Sequence, residues 1–500
     1  MTKSIIIIGG GIAGLAAGCY GQLRGYRTQI FEMHHLPGGL CTAWERKGYT
    51  FDGCIHYLLG SGEGGAFNRM WHELGAIPDT RFFDHRELMR VTGPDGRTLT
   101  GSVDPDALEA HLSALSPADA RRAKALADGV RLFTRFDLSL LQAKPRSLMT
   151  AEDWGAFGLQ MMPFMGALAK WSRLSAQEFA AGFKDPFIQQ ALPPLFGWPE
   201  IPMMAAMSLL AAMHNCNAGF PLGASLEFAR TLERRYRALG GEIHYRAQVE
   251  RILVENGRAV GVKLYNDEEY RADHIISAAD GRNTLFEMLP AKYIPRKLKR
   301  LYDGRLPLYS QVQVSLGVNR DLSAEPHWVT YLLDQPLLIM NEPVQALSVA
   351  HYCYDPSLAP AGKSCLIAMF RSRYGYWQRI HGRALYDSEQ SQVSDVVIDA
   401  LEKFYPGLRA QVEVIDEATP LSYERFTGNW QGSSCGWLLT RQTMQMNIRG
   451  MDKTLPGLEN FYLAGQWVEP GGMVPVAAAS GRNAIQLICA QDGVPFEVEG

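Results

Sequence analysis

Residues 4–32 read SIIIIGGGIAGLAAGCYGQLRGYRTQIFE, and the reading of this stretch decides the fold. Ser4–Ile8 is a β-branched run of the kind buried on both faces of a parallel sheet. Gly9, Gly11 and Gly14 follow as G-x-G-x-x-G, where a strand should turn into a helix. Ile12, Leu15, Ala16, Cys19 and Leu23 recur at helical spacing and give that helix one apolar stripe. Gly25 ends it, Thr28–Phe31 reads as a second strand, and Glu32 closes that strand about 18 residues past Gly14, the spacing of an acid that accepts from a ribose hydroxyl. Gly9 permits the tight turn, Gly11 lets a pyrophosphate approach the backbone, and Gly14 allows close contact of helix and strand. The phosphates then meet unpaired N–H groups at a helix N-terminus. Glycines alone form a weak motif, but strand, helix, second strand and acid together point to a dinucleotide. An acid at position 32 disfavours a 2′-phosphate, which leaves FAD or NAD(H).

Ser4–Leu23 is also a run of 20 uncharged residues behind Lys3, superficially a signal peptide or membrane span. Its glycines and the acid-ended strand fit a nucleotide fold better. Five hundred residues suggest two or three domains. A formal net charge of −3 offers no electrostatic case for nucleic acid. Eight cysteines without a C-x-x-C pair read as reduced thiols with no metal site. A cytoplasmic protein is expected, with peripheral attachment to the inner membrane face as the open alternative.

Downstream, Gly38 and Gly39 offer a second close approach of backbone to cofactor, and Thr42 a hydroxyl for a phosphate oxygen. His56 follows this segment and is the one nominated acid/base; a hydrogen-bonded core histidine is the competing reading. The opening motif, Pro37–Gly39 and the GYTFD of Gly48–Asp52 resemble the FAD-binding half of the phytoene desaturase family. That family includes carotenoid isomerases and retinol saturases, within the amine-oxidase-like flavoproteins. The chain departs from it at Leu40, where many relatives carry a phosphate-binding arginine.

The resemblance implies further contacts. Val249 matches the residue whose amide meets the adenine, although the preceding loop is Gly223-Ala224-Ser225 where the family favours a double glycine. The C-terminal stretch from Phe461 to the helix after Met473 matches the flavin motif: strand, Gly465, a Pro/Gly loop, then a helix. Gln466 replaces the usual acid, and Val476 a common glycine. Gly472, Met473 and Val474 would aim N–H groups at the flavin N1–C2 region. Ile12, Ala13, Met33, His56 and Ala279 complete the expected cofactor lining. A signal at both chain ends favours FAD over NAD.

The segments between are different. Asp104–Leu174 reads as helical, with Asp104 as a cap. Trp154–Ala169 and Met203–Met213 carry no charge. Core helix, lipid-binding wall and membrane-surface helix are the open readings, and an apolar tunnel walled by both is the expectation carried forward. Pro307–Asp416 is strand-rich, and its DPSLAPAG loop (Asp355–Gly362) again resembles the family. Asp280 reads as a helix cap.

The expectation is therefore an α/β protein. A Rossmann-like FAD-binding domain of the two-dinucleotide-binding type (1–75, 221–286, 456–500) interleaves with an α+β substrate domain on a mixed sheet (76–220, 287–455). The resemblance implies an FAD-dependent oxidoreductase that desaturates, saturates or isomerises C=C bonds of an apolar isoprenoid or carotenoid-like lipid. Glu469 is a second, weaker catalytic candidate. The alternatives are an amine or fatty-acid oxidoreductase on the same scaffold, and a non-enzymatic prenyl-lipid binder of the dissociation-inhibitor type. The sequence gives no oligomeric state.

Overall fold

The computed structural model describes residues 2–77, 80–142, 144–382 and 384–498. Its organising element is a five-stranded parallel sheet in the order 242–245, 27–32, 4–8, 274–277, 461–463. The isoleucine run lies at its centre and divides by parity. Ile5 and Ile7 face one hydrophobic core and Ile6 and Ile8 another, as a strand covered on both faces requires.

On the first face the helix Ile12–Leu23 packs against the C-terminal helix Val474–Asp492. The approach is so close that a Cβ on Gly481 would stand 2.2 Å from the Ala13 carbonyl oxygen. A Cβ on Gly14 would stand 1.9 Å from the Gly9 carbonyl oxygen, so position 14 admits only glycine without a shift of the backbone. The other face is covered by the antiparallel strands 249–255, 258–264 and 269–271. Asn256 and Gly257 both have positive φ in the turn joining the first two, the geometry of a two-residue hairpin.

The second large sheet runs 412–418, 308–318, 364–371, 342–351, 328–339, 87–92, 98–102, with 433–437 branching from 308–318. It is mixed, because 328–339 and 87–92 pair in parallel. The helix Ala384–Glu402 covers one side of it. Asp104 caps the helix Pro105–Leu115 by accepting from the N–H groups of Asp106 and Ala107.

The two charge-free stretches part company. Met203–His214 is a core helix in which Met203, Met204 and Met207 are fully buried. The stretch 154–169 forms the helix Ala151–Met161, a tight turn and the helix Met165–Trp171, and its large side chains mostly face solvent. The expectation that both would wall one tunnel is therefore corrected: one is core and the other surface. Composition could not separate them, since only the neighbouring elements decide which apolar helix is covered.

Candidate functional site: a cofactor cleft between two helix N-termini

Along the C-terminal edge of the parallel sheet runs an open cleft. Two helices begin at it. The first starts at Ile12, with Gly11 as its N-cap, and the second at Val474, with Met473 as its N-cap. Neither cap supplies a side-chain acceptor, so both present free N–H groups and the positive end of a helix dipole to the cleft. The glycine turn makes room for this. Gly9 has φ +98°, and a Cβ there would press to 3.2 Å on the Ala278 backbone. Gly38 bridges to Gly11 in a short β-pairing, which brings the Gly38–Gly39 turn beside the first helix start.

Glu32 stands at the end of its strand, buried, with both oxygens engaged. Oε2 accepts from the Gly10 N–H at 2.6 Å and Oε1 from the His34 N–H at 2.7 Å. Each oxygen keeps a second lone pair for a ligand hydroxyl. Burial pushes its pKa up, against those backbone donors.

Sixteen expected cofactor residues line the cleft: Gly9, Gly11, Ile12, Ala13, Glu32, Met33, Gly38, Gly39, Leu40, Val249, Ala279, Gly465, Gln466, Gly472, Met473 and Val474. Gly14 packs beneath them. Thr42 does not line the cleft, although Cys41 before it does; its carbonyl accepts from the Gly53 N–H at 3.0 Å. With Leu40 in place of an arginine, main-chain donors and the helix ends are left to meet a pyrophosphate.

His56, expected beside the cofactor, is not among the cleft residues and lies in a neighbouring chamber with His85, His327 and His351. Its ring packs on Trp328 with centroids 4.6 Å apart, and burial pushes its pKa down to about 4. Cys54, two residues earlier, lines the cleft. Asp52 sets this segment: it accepts from the Cys54 N–H and from the Ser225 N–H and hydroxyl, at 2.7–2.8 Å. The GYTFD motif and the Gly223-Ala224-Ser225 loop thus form one joint. Glu469 is withdrawn from the cleft; its carboxylate pairs with Lys453 and accepts from Gln142. A carboxylate so engaged is a structural anchor.

Sequence reasoning missed the return loop Thr427–Asn429, and Asn283, Gln248 and Ser434, all of which line the cleft. Asp280 lines it too, but as a cap: it accepts from the Asn283 and Trp430 N–H groups. Nothing in the local pattern at Thr427–Asn429 signals a cofactor; the loop arrives there through the second sheet.

An uncapped pair of helix starts, a glycine cradle and a buried acid at the end of the second strand define a dinucleotide-binding flavoprotein. The model of the flavin containing amine oxidoreductase family matches residues 12–489, and the chain belongs to that family. It is an FAD-dependent oxidoreductase. It is 25% identical to the chloroplastic prolycopene isomerase of Daucus carota, over 98% of this chain and 80% of that protein. It is 24% identical to the lycopene-forming phytoene desaturase of Pseudescherichia vulneris, over 97% and 99%. Among solved structures, cyclohexylamine oxidase from Brevibacterium oxydans IH-35A superposes with a TM-score of 0.61 at 14% identity, over 99% and 100% of the two chains. An oxidoreductase from Methanosarcina mazei gives 0.59 at 18%, over 97% and 100%.

Proposed function

We propose that the protein changes the bonding or geometry of C=C bonds in an apolar polyene of the carotenoid type. The observation that carries this reading is similarity to both a prolycopene isomerase and a phytoene desaturase along nearly the whole chain.

FAD, when bound, supplies the electron chemistry that unactivated C–H and C=C bonds need. The protein's own residues bind and orient. Glu32 takes the ribose hydroxyl, and the N–H groups at Gly11–Ala13 take phosphate. The N–H groups at Met473–Val474 favour negative charge on the facing part of the ring. His56 remains the proposed acid/base: burial holds its ring neutral, with a pKa down to about 4, so it would act as a weak base that passes a proton on readily. Desaturation, saturation and isomerisation all fall within this reading.

The test is anaerobic incubation of the FAD-loaded protein with a C40 polyene in detergent, beside an equal series of primary amines. Conversion of the polyene without bleaching of the flavin by amines is expected. Bleaching by an amine with no change in the polyene would transfer the protein to the amine-oxidising reading.

A further inference from the structure

The helical arm from Ala151 to Trp171 turns its apolar side chains toward water. Trp154, Leu159, Met162 and Met165 are 47%, 68%, 59% and 61% exposed, and no charge interrupts residues 154–169. The arm is nonetheless firmly placed. Thr150 and Asp153 form a capping box at its start, and Met161, Phe164 and Trp171 are buried on its inner side. Phe164 packs on Phe136 with ring centroids 5.0 Å apart. The fold therefore holds an apolar face in solvent, and contiguous faces of this kind mark interaction sites.

The surroundings indicate the occupant. Lys144, Arg146, Lys170 and Arg173 flank the stretch, against Glu152 and Asp153, a local excess of positive charge in a chain of net charge −3. Lys144 pairs with Asp153. Arg146 instead lies over the rings of Trp154 (5.4 Å) and Phe157 (4.7 Å), and Lys170 over Trp171 (4.0 Å). Cationic heads on stems laid along apolar rings are the arrangement of side chains that reach from hydrocarbon to a headgroup layer. Gly155, Gly158 and Gly166 open onto free space, so the outer surface carries few side chains that would build a groove for a shaped protein partner.

We propose that this arm docks the protein on an anionic lipid bilayer, lying in the interface with Trp154, Leu159, Met162 and Met165 inserted among the acyl chains. No helix among the described residues is long and apolar enough to cross a membrane, so the contact is peripheral. The proposal deepens the polyene reading and rests on it for its purpose, because a bilayer is where such a substrate dissolves. Gln142, on the segment leading to the arm, donates to Glu469 of the flavin-side loop.

The test is flotation of the FAD-loaded protein with vesicles of phosphatidylglycerol and phosphatidylcholine, and with phosphatidylcholine alone. Wild type is expected to float with the anionic vesicles and to be released by salt. Leu159→Glu/Met162→Glu is expected to lose about tenfold or more in partitioning, with its flavin absorbance and its conversion of detergent-dissolved polyene kept. Failure of wild type to float, equal flotation of the variant, or a shift from dimer to monomer in the variant without any vesicle effect would overturn the proposal; the last result would assign the face to a second copy. If no polyene is converted but flotation follows the variant, docking stands and the substrate reading falls.

Discussion

Lys453 and Glu469 face each other at 2.5 Å, Nζ to Oε1, with both side chains almost wholly out of solvent. Gln142 donates to the other carboxylate oxygen at 3.0 Å. Gln142 and Lys453 thus both hold the loop that carries Gly465 and Met473. Glu469→Leu strands a buried ammonium and should cost about 3–5 kcal/mol in urea unfolding, and adding Lys453→Met should recover most of it, since an apolar pair avoids the desolvation of both ions. A double variant that is stable but inert in flavin reduction would return Glu469 to the chemistry.

Glu32→Ala removes the acceptor that holds the Gly10 and His34 N–H groups and that we propose meets the ribose. FAD binding should weaken by about 1–3 kcal/mol, the scale of a charge-assisted hydrogen bond. Equilibrium dialysis of the apoprotein with FAD measures it, and unchanged affinity would remove Glu32 from the ribose.

The histidine chamber should make the fold acid-sensitive. Burial holds His56 and His85 down to about 4 and His327 to about 2, and His351 also below 6.5. His85 and His327 stack at 3.7 Å. All four are neutral when folded, so as pH falls below 6.5 the unfolded chain takes up protons first and stability drops, by at most about 1.4 kcal/mol per pH unit for each group. Asp52 and Asp280, held up to about 6 by burial, act in the opposite sense: the folded chain takes up their protons first as pH falls through 6. Glu32, also pushed up by burial, acts with the two aspartates; four histidines still outweigh three carboxylates, so Tm should fall from pH 7 to pH 5, and His327→Phe should flatten that slope. A wild-type Tm that holds or rises over the same range would refute this account.

The two methionine-rich stretches predict opposite outcomes for one substitution. Met207 is fully buried, and a Cβ on Gly129 would stand 2.5 Å from its sulfur. Met207→Asp should destabilise by several kcal/mol or abolish folding. Met162→Asp, at an exposed position, should stay within about 0.5 kcal/mol of wild type. Thermal unfolding of the pair checks it, and equal losses would contradict the burial assignment.

How much of this was legible in the sequence depends on how local each signal is. The glycines, the isoleucine run and Glu32 act through backbone conformation within 30 residues of each other, and the cleft has them where the motif implied. The C-terminal helix start was recognisable through resemblance. Thr427–Asn429 was not, because its role comes from tertiary placement alone. Trp154–Ala169 and Met203–Met213 look alike in composition, and only packing against Phe136, or against Gly129, tells surface from core. Thr42 is absent from the cleft lining while Cys41 beside it is present, a one-residue difference that the glycine pattern does not encode.

The parallel sheet joins strands at residues 4–8, 27–32, 242–245, 274–277 and 461–463, and this has a consequence for biosynthesis. Ile5–Ile8 can pair early with Thr28–Phe31, but its other edge waits for His274–Ser277, and the last strand for residues 461–463. Closing such distant pairings is slow and exposes unpaired edges meanwhile. The helix beginning at Val474, which completes the cleft, emerges later still. Capture of the flavin should therefore follow chain completion, and nascent chains stalled before residue 460 should hold no FAD and depend on chaperones for solubility.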